Sequence, residues 1–183
     1  MLNNIAVFCA SHLGHNPLFQ STAQTLGQLI ALNGLTLVYG GSNCGYMGTV
    51  SSAALDAGGH VVGVIPTFFP DEIIYSQPRA EIKLVASMQE RKAMMLDMCD
   101  AFIALPGGVG TLDEISEVLM ANQLKLTCKP IGLLNVDGFY DALLHQLNRM
   151  VDDTLLNPES IRTLVVDDTP EGLLEKLNNL SLS

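Results

Sequence analysis

The sequence predicts an α/β protein, a Rossmann-like doubly wound parallel sheet with helices on both faces. Two observations carry that prediction. Short apolar runs alternate with helix-length segments from one end of the chain to the other, the rhythm of repeated βα units. The runs are also apolar throughout rather than alternating with polar residues, which is how strands buried on both faces of a parallel sheet read. At 183 residues, 48% hydrophobic and 15% charged, the chain fits one domain over 1–183, large enough to bury a full core.

The elements follow in order. Ile5–Cys9 reads as the first strand and Pro17–Leu32 as a helix closed by Asn33-Gly34. Leu35–Tyr39 is the second strand, running into the glycine-rich loop Gly40–Gly48 and a helix that stops at Gly58-Gly59. Val61–Ile65 is the third strand, ended by Pro66. Residues 66–80 hold three prolines and no clear period, which predicts a loop and a candidate lid. After a short strand at Ile82–Val85, Ser87-Met-Gln-Glu90 is a capping-box pattern opening a helix to about Cys99. Ala101–Leu105 is a strand, followed by Pro106-Gly-Gly-Val-Gly-Thr-Leu-Asp-Glu114 and a helix to about Leu124. Ile131–Leu134, Phe139–Asp152, Thr163–Val166 and Pro170–Leu180 complete the alternation as strand, helix, strand and helix.

A net charge of −10 with nine basic residues argues against nucleic acid or an anionic membrane as a partner. Four of those nine, Arg79, Lys83, Arg91 and Lys92, fall in one short stretch, a local basic focus suited to a small anionic ligand. The four cysteines are far apart and form no CxxC pair, so reduced thiols in a cytoplasmic setting are expected, with neither disulfides nor a zinc site. The four histidines show no metal spacing, and no metal or organic cofactor is expected. The N-terminus lacks a basic leader region, and no apolar run approaches the ~18 residues of a membrane span.

Ligands in such folds sit beyond the carboxyl ends of the strands. Three loops rich in small residues belong at that edge: Ala10–Gly14 with Ser11, Gly40–Gly48 with Gly40, Gly41 and Gly45, and Pro106–Thr111. Together they point to a phosphate-bearing ligand, since backbone N–H groups and a helix N-terminus converge in such turns. The second loop is not a dinucleotide fingerprint, because it follows the second strand and no acidic residue ends the third. It is not a Walker A loop either, with Tyr46-Met47 in place of Lys-Ser/Thr.

Arg91 and Lys92 fall in the first turns of a helix, where cations oppose the dipole; the alternative is an ordinary solvated pair. Thr111-Leu-Asp-Glu114 satisfies the capping-box pattern, so Glu114 reads as a cap or as a catalyst. Near the positive end of a helix its carboxylate is expected to stay ionised, which suits a base or a stabiliser of positive charge. The methionines Met88, Met94, Met95 and Met98 read as core or as an interface.

The motifs Tyr39-Gly-Gly with Gly45-Tyr-Met-Gly48, Met88-Gln-Glu-Arg-Lys92 and Pro106-Gly-Gly-Val-Gly-Thr-Leu-Asp-Glu114 resemble those of the LOG (Lonely Guy) family. These are cytokinin riboside 5′-monophosphate phosphoribohydrolases, often mislabelled lysine decarboxylases. The likeness continues through Phe8–Ser11, Gly63–Pro66, Asp100–Leu105 and Lys129–Gly138. It implies hydrolysis of the N-glycosidic bond of an adenine-type nucleoside 5′-monophosphate, with Arg91 and Glu114 as the catalytic pair. Ser11, Gly40, Gly41, Gly45, Glu72, Lys92, Gly107, Gly108, Val109, Gly110, Thr111, Leu112 and Asp113 would form the substrate site. A homodimer is also implied. Gln89, Asp113, Ala121 and Tyr46 depart from the usual family pattern, which leaves the choice between a prenylated and a plain adenine base open. Two rivals remain at this point: a non-catalytic nucleotide or molybdenum-cofactor carrier of similar fold, and a pyridoxal-phosphate lysine decarboxylase. The second lacks a lysine in a recognisable cofactor setting.

Overall fold

The computed structural model describes residues 2–181, so the ends of the expected 1–183 domain lie outside them. Seven strands form one sheet in the order β4-β3-β2-β1-β5-β6-β7, and every neighbouring pair is parallel. The strands are β1 (Asn4–Phe8), β2 (Thr36–Tyr39), β3 (Val61–Pro66), β4 (Glu81–Val85), β5 (Ala101–Ala104), β6 (Ile131–Leu134) and β7 (Leu164–Asp167). The helices are α1 (Pro17–Leu32), α2 (Gly45–Asp56), α3 (Asp71–Ile74), α4 (Met88–Met98), α5 (Val109–Gln123), α6 (Asp141–Asp152) and α7 (Pro170–Ser181).

The period of two along each strand divides the core into two layers. From β1, β5 and the residue after it, Ile5, Val7, Ala101, Ile103 and Leu105 join the layer beneath α1, α2 and α7, with Leu26, Ile30, Val50, Leu173 and Leu177. Ala6, Phe8, Phe102 and Ala104 face the other way, onto Met95 of α4 and Ile115 and Val118 of α5. Burial on both faces is therefore complete at the centre of the sheet and weakens at its edges. Leu84 of β4 stays exposed, and all four residues of β7 are half-buried. Of the α4 methionines, Met95 is buried while Met94 and Met98 pack on the same layer, so these three serve the core.

Three elements differ from the sequence reading. The 66–80 segment contains the one-turn helix α3, and it buries Ile74 and Gln77. The helix expected from Phe139 starts at Asp141, after a 3₁₀ turn at Val136–Gly138. There the Asn135 side chain accepts from Tyr140 N at 2.7 Å and donates to Asp141 at 2.8 Å. The third difference, the start of α5, shapes the site.

β1 lies where the winding reverses, with β2 on one side and β5 on the other. The loops after these strands diverge to opposite faces and leave a crevice at their carboxyl ends.

Candidate active site

That crevice is a cavity of about 640 Å³. Cys9, Ser11 and His12 line it from the end of β1, Gly40, Ser42, Cys44 and Met47 from the loop after β2 and the start of α2, and Ile65 from β3. Phe69 and Ile73 form its rim, Met88 and Arg91 enter from α4, and Gly108 to Thr111, Asp113 and Glu114 from the start of α5.

Arg91 and Glu114 meet across the two helices, Nη2 to Oε1 at 3.0 Å, with side chains only 12% and 7% exposed. A second bond fixes the guanidinium, Nε donating to the carbonyl of Val64 at 3.0 Å. Gly40 makes the arrangement sterically possible, because a Cβ there would overlap Arg91 Nη2 and crowd Met47 Sδ at 2.7 Å. Burial pushes the Glu114 carboxyl above its ordinary value; Arg91 pulls it down and Asp113 adds to the rise. The expectation that this carboxylate stays ionised rested on a place in the first turn of the helix; burial, which disfavours the charged form, is the larger influence here.

The capping-box reading of Thr111 and Glu114 is corrected as well. α5 begins at Val109, two residues before Thr111, and its N-cap is Gly108, which makes no side-chain cap bond. Thr111 packs directly against Gly107, whose missing Cβ gives it room. Glu114 lies beyond the first turn and reaches across to α4 instead of back. The first-turn N–H groups of α5 are therefore left facing the cavity without a side-chain acceptor from the cap. At Ser87–Glu90 the forward half of the box forms, with Ser87 Oγ accepting from Glu90 N at 3.1 Å, while the Glu90 carboxylate reaches one residue further back and accepts from Ala86 N at 2.7 Å.

The loop after β1 is held against α2, with Tyr46 N donating to Ala10 O at 3.1 Å and Gly14 N to Tyr46 Oη at 2.8 Å. Gly45, with φ of +56°, lets the two backbones touch, since a Cβ would overlap Ser11 and His12. Ser11 Oγ and His12 Nδ1 lie 3.1 Å apart on that loop. The rim segment is tied to the loop before α2 by Ser76 Oγ accepting from Asn43 N at 2.8 Å. Gln77 Nε2 adds bonds to Asn43 at 3.2 Å and Ser52 at 3.1 Å. Cys9 forms part of the wall beside Glu114, and burial pushes its thiol up, so it stays neutral.

Of the residues expected in the site, Ser11, Gly40, Arg91, Gly108, Val109, Gly110, Thr111, Asp113 and Glu114 are brought together on the cavity wall. Gly41, Gly45, Gly107 and Leu112 shape the loops and α5 from outside that wall. Glu72 is exposed on α3, which contributes Ile73 to the rim instead. Lys92 points away and pairs with Asp113 and Glu117 at 3.1 and 3.0 Å. Sequence reasoning missed Met47, Ile65, Phe69, Ile73 and Met88, because apolar residues carry the same signal in a core as in a ligand wall. No group of His, Cys, Asp and Glu among the described residues is placed to hold a metal ion. No helix among them is long and apolar enough to cross a membrane.

The family model described as "Possible lysine decarboxylase" matches residues 47–177. The chain is 46% identical over 178 residues to "Probable cytokinin riboside 5′-monophosphate phosphoribohydrolase LOGL6" of Oryza sativa subsp. japonica, covering 97% of this chain and 71% of that protein. It is 43% identical over 173 residues to cytokinin riboside 5′-monophosphate phosphoribohydrolase LOG5 of Arabidopsis thaliana, covering 94% and 76%. Among solved structures, the molybdenum cofactor binding protein of Rippkaea orientalis superposes with a TM-score of 0.72 at 27% identity, over 98% of both chains. The Moco carrier protein of Chlamydomonas reinhardtii gives 0.74 at 22% identity, over 98% of both, and shares the fold. With a model spanning most of its length and relatives this similar over nearly all of it, the chain belongs to the LOG family.

Proposed function

We propose that this protein hydrolyses the N-glycosidic bond of an adenine-type nucleoside 5′-monophosphate, a cytokinin riboside 5′-monophosphate or AMP, to free base and D-ribose 5-phosphate. The observation that carries this reading is the buried Arg91–Glu114 pair on the same cavity wall as the uncapped start of α5. The names of the relatives agree with it.

The 5′-phosphate binds at the N–H groups of Val109, Gly110 and Thr111 and the Thr111 hydroxyl, where the helix dipole favours an anion. As the C1′–N9 bond breaks, its electron pair leaves with the base and positive charge builds on C1′. The Glu114 carboxylate stabilises that charge and accepts a proton from the attacking water, whose oxygen bonds to C1′. The proton returns to the departing base. Arg91 holds Glu114 in place and donates to the ribose. The apolar wall of Met47, Ile65, Phe69, Ile73 and Met88 receives the base.

Lysine decarboxylation through pyridoxal phosphate would need a lysine at the cofactor aldehyde, and none of the five lysines lines the cavity. Similarity to molybdenum-cofactor proteins favours a second reading, a non-catalytic carrier, which predicts ligand binding without turnover. We further propose a cytoplasmic homodimer of one catalytic domain. Val109, Leu112, Met120 and Leu124 share one exposed face of α5 that would supply the contact. The deciding experiment is chromatographic detection of free base from a panel of nucleoside 5′-monophosphates. Release by the wild type and loss in Glu114→Ala support hydrolysis; binding with no release supports the carrier.

A further inference from the structure

Two cations of α4, Arg91 and Lys92, bridge to α5 through three ion pairs, and only Arg91 faces the cavity. Arg91–Glu114 lines it. Lys92, one residue on, turns to the other side, where its Nζ lies 3.1 Å from both oxygens of Asp113 and 3.0 Å from Glu117. Its side chain is 16% exposed and is absent from the cavity wall. With Phe8, Leu96, Phe102 and Val118 it lines a small crevice that reaches the back of Glu114. Asp113, its partner, does line the cavity.

We infer that Lys92 is a positioning residue for the reaction proposed above, holding and neutralising Asp113 and Glu117 so that α5 presents Glu114 alone as the active carboxylate. Without the ammonium, an uncompensated Asp113 carboxylate would stand on the cavity wall beside Glu114. Like charges that close disfavour ionisation of both. The charged groups around Glu114 are Arg91 and Lys92 from α4 and Asp113 and Glu117 from α5. Cys9 after β1 and Tyr140 before α6 stay neutral, their acidities suppressed by burial. The tilt of Glu114 therefore depends on the two cations, and Arg91 is already bound to it.

This inference rests on the phosphoribohydrolase reading, and wild-type turnover of AMP tests that reading separately. Lys92→Met and Lys92→Arg are compared with wild type in kcat, KM for AMP, and the pH dependence of kcat/KM. Lys92→Met is expected to lower kcat about tenfold at neutral pH and to move the acid limb of the profile upward by about one pH unit, as loss of a nearby cation does. KM for AMP stays within about twofold, since the removed ammonium makes no contact with substrate. Lys92→Arg keeps most of the activity and the wild-type limb. The double variant Lys92→Met/Asp113→Asn returns the limb toward wild type, because the uncompensated charge is gone. Calorimetric binding of ribose 5-phosphate gives a readout independent of turnover, and affinity unchanged in Lys92→Met supports the inference. A tenfold or greater loss of that affinity, or a raised KM with an unshifted profile, makes Lys92 a phosphate contact and overturns it. So does a limb that Asp113→Asn fails to restore.

Discussion

Two pairs of helices in this protein begin differently, and the difference bears on where the proposed ligand would sit. α1 and α4 start on side chains that satisfy their free N–H groups: Asn16 accepts from Leu18 N at 3.0 Å, and Ser87 accepts from Glu90 N. α2 and α5 start on Cys44 and Gly108, with no side-chain cap bond and no acidic residue in the first turn. Both of these starts line the cavity. At α2 the Ala10 carbonyl accepts from Tyr46 N, so α5 is the start where an anion would supply the missing acceptors, in the way a binding site departs from the rules that govern the rest of a fold.

Removing the chemistry while keeping this binding end intact should have the largest effect. Glu114→Gln is expected to reduce kcat by about 10²–10⁴-fold with a modest change in KM, measured by release of base. Because burial raises the Glu114 carboxyl and the reaction needs it ionised, wild-type activity should fall with acidification at a pH above the usual carboxylate range. That acid limb should disappear in the residual activity of Glu114→Gln.

Next comes the geometry of the pair. Gly40→Ala places a methyl group where Arg91 Nη2 and Met47 Sδ lie. A guanidinium displaced by about 1 Å should cost on the order of 10²-fold in kcat/KM, with the fold retained as judged by circular dichroism. The smallest effect belongs to a capped helix. Asn16→Ala should lower unfolding stability by about 1 kcal/mol in a denaturant titration and leave kcat/KM unchanged, since Asn16 lies outside the cavity wall. A change in KM from Asn16→Ala would erase the distinction between the two kinds of helix start.

Much of this was legible in the sequence. The seven strands, the six long helices and the crevice beyond β1, β2 and β5 follow from apolar runs, glycine turns and proline stops. The start of α5 was not legible, because Thr111 and Glu114 carry a capping pattern that is locally complete. Only tertiary contacts, Gly107 against Thr111 and Arg91 against Glu114, move the helix start and turn the carboxylate across to α4. Glu72 is a different case. Its assignment rested on a motif in a segment whose single helical turn, α3, was not predicted, and that turn aims Ile73 rather than Glu72 at the cavity. Tyr46, a departure from the family pattern, has a use that only the structure reveals. Its hydroxyl accepts from Gly14 N and secures the loop that carries Ser11 and His12.

Gly108→Asp tests the central claim most directly. Gly108 is exposed in an extended conformation, with φ of −93°, and a Cβ there meets nothing within 4 Å, so an aspartate can cap α5 without a clash. Thermal unfolding and steady-state kinetics with AMP are measured on the same preparation. A start kept open for phosphate predicts a higher Tm, from a gain of about 0.5 kcal/mol, together with a KM raised about tenfold or more by the carboxylate in the phosphate's place. A higher Tm with an unchanged KM would contradict it.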